Sequence, residues 1–258
     1  MEQTIHPLAA HIQAVKRRLL IIGATVLGSL VLTFSFSAEM VAWLNRPFSN
    51  QLAFYGPTEA LFASIKVSLL AALILSLPVI FYQCWKFIEP ALLPKEQRWA
   101  IPLFMVAGGL FALGLVFCNM VILPLVIDWF VSFGLDRDVT PQLSVGTYID
   151  FNVKFLLIFG CAFELPLAMT LAAMTGAVSA QVFGRFRKHA ILVCLIVSAI
   201  VTPDATLFTM LLMAVPLMML YEVGILGARI FGRKSDQDGI DLPLDPDLPI
   251  NTAGTRVR

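Results

Sequence analysis

The sequence predicts an all-α polytopic membrane protein with six transmembrane helices, a short fifth among them, and both termini in the cytoplasm. Three observations predict it. Hydrophobic residues make up 59% of the chain and charged residues only 14%, with a mean hydropathy of +0.85. A soluble domain is about half apolar and about a quarter charged, so these charges cannot cover a water-facing surface and lipid is the expected solvent. Apolar runs of span length recur along the chain. The basic residues gather at alternate connections, as the positive-inside rule requires.

The spans are expected near 19–36, 63–82, 100–127, 155–174, 190–201 and 205–228, within a membrane domain of residues 1–234. Lys16-Arg17-Arg18 ahead of the first run resembles a secretory leader. The run Leu19–Phe36 exceeds the about 7–15 residues of a leader's apolar region, and bulky Phe36 spoils the cleavage site after Ala38. An uncleaved first span is expected. In Ala38–Leu44 the apolar residues Met40, Val41, Trp43 and Leu44 fall at helical spacing, which predicts a short interfacial helix. Lys86, Lys95 and Arg98 follow the second span, Arg185, Arg187 and Lys188 the fourth, and Arg229, Arg233 and Lys234 the last. The opposite connections hold little beyond Arg46 and Arg137. Trp85, Trp99 and Trp129 fall at span ends, like an aromatic belt.

The stretch from Lys188 to Arg229 begins and ends on the positive side, so it crosses an even number of times, turning at Thr202-Pro203-Asp204. That leaves Ala190–Val201, which at 1.5 Å per residue reaches about 18 Å of an about 30 Å core. The rival reading is a re-entrant hairpin. Residues 235–258, with five aspartates and three prolines, read as a disordered cytoplasmic tail.

No phosphate-binding loop, HExxH pair or Ser/His/Asp pattern is present, and the three histidines are not spaced for metal. Neither enzyme chemistry, a metal, a cofactor nor nucleic-acid binding is expected. The four cysteines, Cys84, Cys118, Cys161 and Cys194, lie in or beside apolar runs and read as buried free thiols. Glu164 stands out. A carboxylate in mid-span costs about 2.5–3.5 kcal/mol or more on insertion, which points to a cavity or a partner-facing role; the bland alternative is a neutral acid bonded inside the bundle. Pro166 is expected to loosen the helix beside it. Asp204 suits a helix cap, Glu96 a helix-start carboxylate, and Glu222 a pair with a basic neighbour.

Leu77-Pro78-Val79-Ile80-Phe81-Tyr82-Gln83-Cys84-Trp85-Lys86-Phe87-Ile88-Glu89-Pro90-Ala91-Leu92, running into Lys95-Glu96-Gln97-Arg98, resembles the signature of TatC, the multispanning subunit of the twin-arginine protein translocase. Phe163-Glu164-Leu165-Pro166, Thr202-Pro203-Asp204 and Ala214-Val215-Pro216-Leu217 with Tyr221-Glu222 follow in the family's order. The resemblance covers about residues 6–231. It implies recognition of signal peptides with paired arginines, partners of the TatA and TatB single-span type, and proton-motive-force-driven export of folded proteins. It also implies the bacterial cytoplasmic (inner) membrane and a homo-oligomer within a larger complex.

By position, Glu96 and Phe87 match the signal-recognition residues, with Lys16 and Arg18 of the N-terminal motif beside them. Glu164 matches the intramembrane acid, Pro47 a proline of the first outer loop, and Asp204, more loosely, the outer-face aspartate. Thr209 and Met210 occupy the intramembrane polar, partner-facing positions. Two departures stand out: Ala14 replaces a usual glutamate, and Phe208-Thr209-Met210 lacks a usual glutamine. Two alternatives remain open, a divergent paralogue that binds signals weakly and a proton or small-solute transporter built around Glu164.

Overall fold

The computed structural model describes residues 5–44, 52–53, 55–56, 58–88, 100–135, 143–202 and 206–232. Its helices are α1 (Ile5–Phe34), α2 (Ser37–Leu44), α3 (Glu59–Ile88), α4 (Ala100–Phe117), α5 (Leu123–Leu135), α6 (Val145–Phe163), α7 (Leu165–Met174), α8 (Ala180–Arg185), α9 (Arg187–Val201) and α10 (Leu207–Phe231). A π turn, Cys118–Ile122, joins α4 to α5. A short helix, expected after the first span as an interfacial one, is present as α2. Two-residue strands, β1 (Leu52–Ala53) and β2 (Leu143–Ser144), pair in parallel.

Among the described residues, five helical stretches are long and apolar enough to cross a bilayer: Val15–Phe34, Glu59–Phe87, Pro102–Ser132, Val145–Met174 and Leu207–Phe231. Most outrun the apolar runs read from sequence, because polar end residues stay helical. Tyr148, Asp150 and Asn152 add more than two turns at the start of α6, where Asp150 pairs with Lys66 of α3. α9, where the short fifth crossing is expected, has 15 residues, about 22 Å, which still falls short of an about 30 Å core.

Two prolines break the long rods. Pro124 has no N–H to continue the helical ladder, and Leu123 N–H donates five residues back to Cys118, so the third span bends through a π turn. Pro166 likewise leaves Ala162 without its usual donor, and the chain tightens there, with Glu164 N–H on Cys161 O at 3.1 Å. The break between α6 and α7 thus falls on Glu164. α7 ends at Gly176, whose φ of 74° suits a residue without Cβ.

The core gathers around α6, whose Phe155, Phe159 and Ile149 are fully buried against Val126, Cys118 and Met213. Close approaches use glycine, as membrane helices require where lipid supplies no hydrophobic drive for association. A Cβ on Gly114 of α4 would meet the Phe159 carbonyl at 2.6 Å, and one on Gly224 of α10 the Met169 sulfur at 2.5 Å. The thiols depart from expectation in part. Cys118 and Cys194 are buried, whereas Cys84 and Cys161 are exposed.

Candidate functional site: a groove at the basic end of the bundle

The basic N-terminal cluster and the end of α3 come together. Lys16 and Arg17 are exposed on α1, and Arg18, one position on, turns inward. Its guanidinium lies 5.7 Å from the centroid of the Phe87 ring, the cation-on-face geometry that an aromatic quadrupole favours. Arg18 Nη1 is buried and has no hydrogen-bond partner among the described residues. Lys86, next to Phe87 on α3, lies 5.3 Å over the ring of Tyr82 one turn back, and Tyr82 stacks on Phe104 of α4 at 6.4 Å. A row of aromatic rings and cations therefore rims this end.

Behind the rim lies a groove of about 470 Å³ between α3 and α4, floored by α7. Trp85 and Phe87 stand at its mouth, Phe104 and Leu171 along its walls, and Ala107 and Glu164 at its far end. Glu164 arrives there because the proline-induced break turns its side chain inward at the junction of α6 and α7. Its Oε1 is buried without a hydrogen-bond partner among the described residues. A polar group so placed in apolar surroundings costs free energy unless something bonds it. The groove therefore offers an aromatic and cationic mouth, apolar walls and one acid at its depth. This suits an apolar segment preceded by polar or charged residues.

The other end is built differently. Glu59, at the start of α3, accepts from Tyr55 N at 2.8 Å and Gly146 N at 2.6 Å, and from the Ser144 hydroxyl. That carboxylate ties the chain before α3 to the start of α6, beside the β1–β2 pair. Lys66 of α3 pairs with Asp150 of α6 one level deeper, and the Tyr148 hydroxyl donates to Leu44 O at 3.2 Å, holding the end of α2. Sequence reasoning missed the Glu59 clasp; an acid in the first turn of a helix was the signal.

Thr209 is fully buried, sharing a 2.8 Å hydrogen bond with the Thr206 hydroxyl, and Met210 next to it is half-buried. Glu222 pairs with Arg187 at 2.7 Å across the basic ends of α10 and α9. Glu96, Pro47 and Asp204 lie outside the described residues. The structure thus brings together Arg18, Phe87 and the groove that ends on Glu164, leaves Lys16 on the exposed side of α1, and sets Thr209 and Met210 in a separate place on α10. No group of three metal-ligating side chains occurs among the described residues.

The sequence model of the family "Sec-independent protein translocase protein (TatC)" matches residues 10–216. The Sec-independent protein translocase protein TatC of Desulforapulum autotrophicum is 35% identical over 92% of this chain and 89% of its own length. The TatC of Aquifex aeolicus is 37% identical over 90% of this chain and 98% of its own length. A crystal structure of the twin-arginine translocase receptor TatC superposes with a TM-score of 0.79 at 34% identity, covering 86% of this chain and all of that one. With a family model matched over residues 10–216 and relatives about a third identical over most of their length, the chain belongs to the TatC family of Sec-independent protein translocase proteins.

Proposed function

We propose that this protein is the signal-reading subunit of a twin-arginine translocase, and that the groove from Phe87 to Glu164 seats the apolar segment of the signal peptide. Membership in the TatC family makes it a component of a Sec-independent protein translocase. The observation that carries the finer reading is the continuity of the groove with the rim at which Arg18 meets Phe87. A signal peptide has a charged stretch followed by about 7–15 apolar residues, and the groove with its charged, aromatic mouth has that order of chemistry. The paired arginines remain at the mouth, and Glu96, which the resemblance gives as a signal-recognition residue, supplies a carboxylate for bidentate guanidinium pairing.

The protein resides in the bacterial cytoplasmic membrane as a six-span domain, residues 1–234, with both termini and the tail 235–258 in the cytoplasm. The clustering of basic residues at the Phe87 end of the bundle supports that orientation. In this reading α9 is the short fifth crossing, and Thr209, Met210 and Asp204 serve partner subunits of the TatA and TatB type, with which the chain forms a multi-copy complex driven by the proton-motive force.

The test is crosslinking of a twin-arginine peptide carrying a photoreactive side chain in its apolar segment. Crosslinks to Phe104 and Leu171 of the groove are expected, together with loss of binding in Glu96→Gln protein that still inserts normally. Crosslinks confined to the lipid-facing side of α1 or α10, or full binding by Glu96→Gln, would remove the reading.

A further inference from the structure

The space between α3 and α4 holds two grooves, end to end. The one ending on Glu164 has been described. The second, about 810 Å³, lies toward α2 and is lined by Met40, Trp43, Ile74, Leu115, Asn119 and Leu156. Helical spacing shows what separates them, since residues four apart share a face. On α4, Ala107, Phe111 and Leu115 form one such row; Leu156, Gly160 and Glu164 form another on α6 and its end. The first groove takes Ala107 and Glu164, the second Leu115 and Leu156. The middle members, Phe111 and Gly160, line neither and touch each other. A Cβ built on Gly160 would stand 2.7 Å from Phe111 Cζ, and Phe111 is only 5% exposed. Ring and glycine together form a wall between the two spaces.

We propose that the Phe111 ring, seated on Gly160, is a depth stop that measures the apolar segment of the signal peptide. This rests on the reading of the Glu164 groove as the seat of that segment. The floor of the groove runs from Glu164 to Thr175, about eleven residues and so about 16 Å of helix. That length falls inside the range of about 7–15 residues for such segments. A helical segment of this size fills the groove with its tip against Phe111 and its preceding arginines at the mouth. A longer segment meets the ring, cannot advance, and holds the arginines away from their partners at the rim. Gly160 is needed because any side chain there would push the ring from its seat. Removing the ring joins the groove to the second one and lets longer segments advance.

The test uses the full chain in lipid nanodiscs and fluorescent twin-arginine peptides whose apolar segments have about 10, about 14 and about 18 residues. The wild-type protein should bind the longest about tenfold more weakly than the shortest, the size of one lost charge-assisted hydrogen bond. In Phe111→Ala that ratio should fall to about one, with photocrosslinks from the tip of the longest peptide moving to Asn119. Phe111→Leu, which keeps more of the packing, should give an intermediate ratio and carries the test if the alanine variant does not accumulate. A length ratio in both variants equal to the wild-type one would overturn the depth stop while leaving the groove as the binding site. Peptide binding that ignores a bulky Ala168→Trp in the groove wall would remove the groove reading, and the stop with it.

Discussion

Arg18 and Glu164 hold the two buried polar atoms without a hydrogen-bond partner among the described residues; Glu164 lines the groove, and Arg18 lies against Phe87 at its mouth. Bilayer interiors tolerate such groups when something else satisfies them, whether water, a partner or a ligand. Replacing Glu164 with leucine removes the insertion cost, about 2.5–3.5 kcal/mol. We therefore expect Glu164→Leu to insert at least as well as the wild type while export of a twin-arginine cargo falls; normal export would reduce Glu164 to a tolerated polar residue. Ala14 belongs to the same scale. It lies on α1 one turn before Arg18, where the family usually carries a glutamate. Ala14→Glu adds a second carboxylate for the guanidinium pair and should raise peptide affinity several-fold in a titration. An unchanged affinity would show that the position does not reach the peptide.

At the scale of elements, α9 is the piece whose length decides its behaviour. Its 15 residues give about 22 Å; its basic end is held by the Arg187–Glu222 pair, and the Tyr221 hydroxyl, donating to Phe183 O at 2.9 Å, ties the preceding α8 to α10. If α9 crosses the bilayer, this anchor keeps it from sliding to make up the shortfall, and we expect the lipid beside it to thin. Lengthening α9 by about one turn of leucines should leave insertion intact and depress export. Nitroxides at Ile200, which is 78% exposed, and at Thr206 should report positions below the headgroup level. Headgroup-level readings at both, with full export by the lengthened protein, would end the thinning argument. α2 and α3 show the complementary case, in which polar ties do the holding. Glu59 joins three groups from two segments, and Glu59→Ala should lower Tm in detergent and speed proteolysis of the chain before α3. An unaltered melting curve and digestion rate would mean that the clasp adds nothing.

For the molecule as a whole, contact between helices depends on a few places where backbones nearly touch. Gly114 against the Phe159 carbonyl is one where a neighbour cannot rotate aside, because the obstacle is backbone. Gly114→Val should separate α4 from α6 and destabilise the protein by about 1–3 kcal/mol, seen as a lower Tm in detergent, with peptide binding lost because the groove shares those walls. Retained stability would mean that the α4–α6 approach is looser than its geometry.

Much was legible in the sequence. The solvent followed from composition, because too few charges were present to face water. Five helices of span length followed from apolar runs, and the shortness of α9, expected as a fifth crossing, from a proline turn and a basic pair. The bend at Glu164 was foreshadowed by Pro166, since a missing N–H has a local consequence whatever the surroundings. The bend at Pro124 has the same local cause, yet residues 100–127 read as one straight run because hydropathy does not change across it. What only the tertiary structure decided is which faces meet: Arg18 over Phe87, Glu59 across to Gly146, Glu164 at the end of a groove, and Phe111 on Gly160. The physical reason is the solvent itself. In lipid the side chains of a span are apolar all round, so periodicity carries no signal of an inward face. Packing, close backbone approach and scattered polar contacts choose the neighbours instead.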